Sequence, residues 1–90
     1  MFVIWDERKA RINLKKHGVS FEEAQTVLET DCQMILDDKT HDEERFVALG
    51  FSRQLRLLVV VYCYRFQDVI RIISARKATK KERAVYEERI

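Results

Sequence analysis

The run Leu57-Leu58-Val59-Val60-Val61 constrains this chain more than any other feature. Successive side chains of a strand point to opposite faces, so five apolar residues in a row need cover on both sides. The run predicts a central strand, here Leu55 to Tyr64, buried front and back. Strand patterns flank it at Arg45 to Ser52 and Val69 to Ala75, and the three read as an antiparallel meander. Phe2 to Trp5 and Met34 to Leu36 are shorter strand signals, the latter followed by the polar loop Asp37 to Glu44.

Helical signals fill the remainder. Asp6 caps a helix that runs to about Lys16, with His17 at its end and Gly18 as a left-handed stop. Ser20-Phe21-Glu22-Glu23 is a capping box, in which serine and glutamate satisfy each other's orphan backbone donors. Val19 can staple against Ala24, and Phe21, Ala24, Val27 and Leu28 form one apolar face. Thr79-Lys80-Lys81-Glu82 is a second box and opens a C-terminal helix. Its weak stripe (Ala84, Val85, Tyr86, Ile90) suits an edge or a partner. The order β-α-α-β-β-β-β-α predicts an α+β fold: a small antiparallel sheet with two N-terminal helices and one C-terminal helix. With 90 residues, no proline, two glycines and no linker, residues 1–90 read as a single domain.

Charge is segregated. The formal net charge of +2 conceals three blocks: +3 over residues 1–17, −8 over 18–44 and +7 over 45–90. One basic surface and one acidic segment follow. Arg71-Ile72-Ile73-Ser74-Ala75-Arg76-Lys77-Ala78-Thr79-Lys80-Lys81-Glu82-Arg83 turns strand into helix and loads the junction with cations. Basic groups at a helix N-terminus oppose the helix dipole, which is reasonable where phosphate arrives to meet amides and cations together. The plainer reading is a solubilising surface. Strict alternation gives Arg71, Ile73 and Ala75 one face and Ile72, Ser74 and Arg76 the other. Arg71 interrupts an apolar strand, so its face must be open or partnered.

Asp6, Lys9, Asn13 and Lys16 share one face of the first helix, with His17 beside Asn13. That stripe is a solvated face, an RNA-facing surface or a seat for the sheet. Asparagine is a poor helix former, so a plain solvated face would rarely choose it. His17 ends a helix where a cation suits the dipole, and His41 lies in an acidic loop. Tyr62, Tyr64 and Phe66 can stack bases, although strand aromatics usually serve the core. Two histidines without Cys or Asp at ligand spacing make a poor zinc site, and no calcium loop is present. Nothing resembles a phosphate loop or a nucleophile elbow, so neither a metal nor a nucleotide cofactor is expected. Cys32 and Cys63 make no disulfide framework. No apolar run nears the ~20 residues of a membrane span, and the short N-terminal run is no signal peptide, so the expected location is the cytoplasm.

Trp5-Asp6-Glu7-Arg8-Lys9 through Asn13-Leu14-Lys15-Lys16-His17-Gly18-Val19-Ser20-Phe21-Glu22-Glu23-Ala24 resembles the opening signature of BrnT-type toxins. The likeness returns at His41-Asp42-Glu43-Glu44-Arg45-Phe46, and at Arg71 to Ala78 with Glu82-Arg83 and Tyr86. It spans essentially the whole chain. The chain departs from the family pattern where Cys32 follows Asp31 in place of a proline, and where the hairpin Arg65-Phe66-Gln67-Asp68 has no glycine. Both affect loop shape. The resemblance implies a RelE-like fold and the toxin half of a type II toxin–antitoxin module, a ribonuclease that stalls growth. It also implies a ribbon-helix-helix antitoxin, with which the toxin represses its own promoter.

Cleavage by the neighbouring 2′-hydroxyl needs a base, cations for the phosphorane and an acid. Arg45, Arg71 and Arg76 are the expected phosphate-stabilising residues, and Glu44 and His41 lead for acid and base, with His17 and Tyr62 behind them. Lys9, Asn13, Lys16, His17, Lys77, Lys80, Lys81 and Tyr62 are the expected RNA-binding set. Dependence on the ribosome is left open. Two rival readings stand beside this one: a non-catalytic nucleic-acid-binding module, and a structural subunit of a repressor complex.

Overall fold

The computed structural model describes residues 1–31, 33–37 and 45–89. His41 and Glu44 lie outside the described residues, as do Cys32 and Ile90. The elements are β1 (Phe2–Ile4), α1 (Glu7–His17), α2 (Phe21–Leu28), β2 (Met34–Asp37), β3 (Phe46–Phe51), β4 (Leu57–Arg65), β5 (Val69–Lys77) and α3 (Lys80–Glu88). The fold is α+β. The strands form one sheet in the order β1-β5-β4-β3-β2, which makes β4 central as its apolar run requires. β3, β4 and β5 are the antiparallel meander and β2 extends it, but β1 pairs with β5 in parallel. The sheet is therefore mixed, because nearly the whole chain intervenes between β1 and β5 and can serve as a crossover.

Two cores flank the sheet. On one face Leu58, Val60, Ile70, Ile72 and Ala75 pack beneath Val19, Phe21, Ala24, Val27 and Leu28. On the other, Leu49, Leu57 and Val59 meet Tyr86 of α3, whose ring stands edge-on to Phe51. Each fully buried leucine or valine contributes about 1.5–3 kcal/mol by leaving water. Gly50 of β3 permits a close approach there: a Cβ would lie 3.2 Å from Val27 Cγ1 and 3.3 Å from Gln33.

Gly18 ends α1 at φ 69°, the left-handed stop expected of it. The two boxes behave differently. Thr79 and Glu82 form the full reciprocal box at α3. At α2 Ser20 accepts from the Glu23 N–H, but the Glu23 carboxylate does not return to the cap. Glu23 is buried and accepts instead from Ser52 Oγ (2.7 Å) and from the Arg56 guanidinium, which also donates to the Gly18 carbonyl. Burying a carboxylate leaves it to the strongest donors available, and a guanidinium fork outcompetes one backbone amide. The Arg56 hydrogen bond, the Ser52 hydroxyl and the Arg56 charge all hold Glu23 below the usual carboxylate range, against the opposing effect of its burial.

Two features of β5 position the site. First, its register against β4 shifts at Val61/Tyr62: Val61 pairs with Ser74, while Tyr62 pairs with Ile72. Ile73 is the extra residue of a bulge. Ile72 and Ala75 consequently both enter the α1–α2 core, which strict alternation forbids. Arg71 lies opposite Cys63 and Arg76 opposite Val59, so the two arginines share the α3 face of the sheet rather than opposing faces. Second, β1 ends at Ile4, opposite Arg71, and leaves the outer edge of β5 without a strand. Asn13 of α1 takes that place. Its Nδ2 donates to Ala75 O (2.8 Å) and Val19 O (2.9 Å), and its Oδ1 accepts from the Ala75 N–H (3.1 Å). A carboxamide carries a peptide's donor and acceptor, so one side chain replaces one residue of a missing strand. Outside glycine, positive φ occurs among the described residues at Leu55 (64°) and Phe66 (61°), each at a cost of about 1–2 kcal/mol.

Candidate functional site

The half of the α3 face that α3 does not cover belongs to the end of β4 and the starts of β5 and β3. Arg65 pairs with Val69 and Cys63 with Arg71 across the β4–β5 hairpin, so Arg65 and Arg71 stand diagonally on one face. Arg45 immediately precedes β3, whose Val47 pairs with Val61, and this brings it beside Cys63. Lys9 reaches over from α1. A narrow cleft of about 70 Å³ is lined by Lys9, Arg45, Cys63, Arg65, Arg71, Ile72 and Ile73. Four of those seven residues are cations.

This cleft is the middle of a longer seam. Arg65 and Arg71 are shared with a cleft of about 460 Å³ that also takes in Ile4, Trp5, Asp6 and Phe66. Lys9 and Ile73 are shared with a third, of about 200 Å³, walled by Ile12, Asn13, Lys16, His17 and Ser74. The three run one after another along the boundary between α1 and β5.

Among the described residues, Arg71 has neither a hydrogen bond nor an ion pair, and Arg45 Nε is buried without a hydrogen-bond partner. A buried donor left unpaired costs about 1–3 kcal/mol, so its retention calls for an incoming acceptor. Asp6 closes the far side. Its Oδ1 accepts from the N–H groups of Arg8 (2.8 Å) and Lys9 (3.1 Å). Those bonds, the Lys9 bond foremost, keep its carboxyl below the usual range with help from the Lys9 and Arg71 charges, against some desolvation.

The seam unites only some of the expected residues. Lys9, Lys16 and a half-buried His17 line it together with Arg45 and Arg71. Asn13 also touches it, but its amide is committed to the backbone of β5 and of Val19 at 6 % exposure, which makes it a seat for the sheet. Tyr62 is buried, stacked on Phe46 at 5.6 Å and 23°, and burial pushes its hydroxyl up from the ordinary tyrosine value. It packs within the core and does not line the seam.

The basic junction also differs from its sequence reading. Both terminal guanidinium nitrogens of Arg76 donate to the Glu82 carboxylate, at 2.7 and 2.8 Å. The same carboxylate accepts from the Thr79 N–H. Glu82 thus fills the start of α3 with an internal anion, where phosphate was expected. The Arg76 bonds hold Glu82 down to about 2, and Glu82 in turn raises Arg76. Lys77, Lys80 and Lys81 are exposed, and none of them lines the seam. Arg65, Trp5, Asp6 and Phe66 were not singled out from the sequence as lining one cleft. The hairpin register carried the signal for Arg65, since pairing it with Val69 sets Cys63 against Arg71.

Among the described residues no three His, Cys, Asp or Glu come together as a metal-binding group, and no helix is long and apolar enough to cross a membrane. Among curated proteins no sequence match is found. The solved structure of the Brucella abortus ribonuclease toxin BrnT is similar, with a TM-score of 0.72 and 27% identity, over 89% of this chain and 99% of that one. Residues 5–82 match the family described as the ribonuclease toxin BrnT of type II toxin–antitoxin systems. That match takes in both ends of the cationic seam, and the chain belongs to the BrnT family of ribonuclease toxins, whose substrate is RNA and whose partner is an antitoxin.

Proposed function

We propose that this toxin cuts RNA without a metal ion, in the seam between α1 and β5, with Arg71 and Arg45 holding the reacting phosphate. The observation that carries this reading is one narrow cleft lined by Arg71, which has neither a hydrogen bond nor an ion pair among the described residues, and by Arg45, whose buried Nε has no hydrogen-bond partner there. Guanidinium offers paired donors to phosphate oxygens, and fixed cations in a confined site stabilise the extra charge of a phosphorane without reorganising. In the reaction a base takes the 2′-hydroxyl proton as the 2′-oxygen bonds phosphorus. The bond from phosphorus to the 5′-oxygen then breaks, and an acid protonates that oxygen. The products are a 2′,3′-cyclic phosphate and a 5′-hydroxyl.

His17 places an imidazole within the seam, beside Lys9 and Lys16. Glu44, directly before Arg45, and His41 share the acid–base work in this scheme. Lys9 and Lys16 track the phosphate backbone, with Lys77, Lys80 and Lys81 as a weaker outlying field. Arg76 acts through Glu82, by fixing α3 on β5. The partner in this proposal is a ribbon-helix-helix antitoxin that masks the seam and, with the toxin, represses their shared promoter. The complex works in the cytoplasm, where its RNA is.

The test is cleavage of a defined RNA by purified toxin in excess chelator. Expected are undiminished cleavage, cyclic-phosphate ends, and resistance of the same RNA carrying 2′-deoxyribose at the cut position. Loss of activity on chelation, or cutting of the deoxy substrate, overturns the mechanism. Tight, salt-sensitive RNA binding without cleavage would favour a non-catalytic binding module instead.

A further inference from the structure

We infer that the cleft of about 460 Å³ beside Phe66 is a nucleobase subsite, taking an unstacked, amino-bearing base, guanine above all, next to the phosphate held at Arg71. This rests on the seam being the RNA site, and adds to it how the toxin distinguishes one base from another.

Phe66 is the starting point. It is 90 % exposed and occupies the β4–β5 turn at φ 61°, a conformation that glycine or asparagine adopts more readily. The ring makes no aromatic contact among the described residues, so packing does not explain a phenylalanine there. A strained backbone carrying an exposed ring at the mouth of a cleft points to a ligand. The cleft offers further flat surfaces: Trp5, held edge-on by Phe21 at 6.0 Å and anchored through its Nε1–H to Glu7, and the guanidinium groups of Arg65 and Arg71. Aromatic rings and guanidinium planes are what single-stranded bases stack on.

Asp6 decides which part of the RNA enters. Its carboxylate repels phosphate, so the backbone belongs at the Arg45–Arg71 end and the base at this one. Oδ1 is occupied by two backbone N–H groups, while Oδ2 has no partner among the described residues. A free carboxylate oxygen accepts from N–H donors and faces repulsion from carbonyls. Guanine presents N1–H and N2–H side by side, adenine and cytosine present one amino group, and uracil flanks its single N–H with two carbonyls. The cleft is also the size of ordinary ligand sites and is continuous with the cationic middle of the seam through Arg65 and Arg71.

The experiment measures binding of 2′-O-methyl oligouridylates that carry one central guanosine, uridine or abasic nucleotide. The proteins are the wild type, Phe66→Asn and Asp6→Asn. Asparagine relaxes the turn at 66 and remains a good helix cap at 6, so both variants fold. Expected for the wild type is about tenfold tighter binding of the guanosine oligomer than of the abasic one. Phe66→Asn brings that oligomer to the abasic level while the melting temperature rises, and Asp6→Asn removes the preference for guanosine over uridine. Unchanged affinity and preference in Phe66→Asn overturn the subsite. If Arg71→Ala meanwhile abolishes cleavage, the ribonuclease site stands and only the subsite falls. A Phe66→Asn protein that keeps its RNA binding but loses co-expressed antitoxin assigns the ring to the antitoxin and overturns the proposal. Wild-type protein that neither binds nor cuts RNA removes both readings together.

Discussion

Arg71 and Arg76 stand on the same strand and, through the bulge at Ile73, on the same face of the sheet, yet their surroundings are opposite. Arg76 commits both terminal guanidinium nitrogens to Glu82 beneath α3. Arg71 lies where α3 does not reach, beside Arg45, Arg65 and Lys9, with neither a hydrogen bond nor an ion pair among the described residues. Counting cations along the chain rates these positions alike. What separates them is whether the fold supplies an anion. A guanidinium already holding a carboxylate must break that pair before binding phosphate, whereas one left open is organised for the ligand in advance.

The contrast is most exposed to Arg71→Ala. We expect RNA cleavage to fall at least about 100-fold while stability changes by less than about 0.5 kcal/mol, because an interaction made only with the phosphate is lost. Cleavage assays paired with thermal melts check it. A folded, fully active Arg71→Ala protein would place the chemistry elsewhere.

Between the two arginines lies the Asn13 clamp. Asn13→Asp replaces a donor to two buried carbonyls with an ionised acceptor while keeping the bond from the Ala75 N–H. We expect a loss of about 2–4 kcal/mol in urea unfolding. A near-neutral result would mean that water or the strand itself supplies the missing edge.

Arg76→Ala should have the smallest effect, and on stability rather than chemistry. Removing a half-exposed partner costs about 1 kcal/mol, or roughly 4–8 °C in melting temperature, with cleavage below the transition little altered. The pair also predicts a pH signature. Glu82 is held at about 2 in the fold against an ordinary 4.5, so its stabilisation is present above about 4.5 and fades as pH falls towards 2. Acid titrations of wild type, Arg76→Ala and Glu82→Gln should therefore converge at the acid end, the wild type losing most. If Arg76→Ala abolishes cleavage in a protein that remains folded, the contrast fails and Arg76 rejoins the site.

Much was legible in the chain because it depends on local geometry. The buried central strand follows from Leu57 to Val61, the helix starts from Asp6, Ser20 and Thr79, and the first stop from Gly18. The grouping of Lys9, Lys16 and His17 followed from helical spacing. Less legible were the parallel attachment of β1, the bulge at Ile73 and the diversion of Glu23 to Arg56. Each of these depends on a partner distant in sequence, and alternation or capping rules contain no term for such a partner.

By itself, then, the sequence determined the elements, their order, the two-sided burial of β4 and an excess of cations near β5, since periodicity, capping and charge are properties of neighbours along the chain. Only the tertiary structure decided which cations are free. It turned Asn13 into a surrogate strand, sank Tyr62 into the core, gave Arg76 to Glu82 and left Arg71 and Arg45 facing one cleft. The reason is electrostatic. A charge's availability is set by the distance to its counter-charge in space, and that distance is fixed when β5, α1 and α3 close on one another.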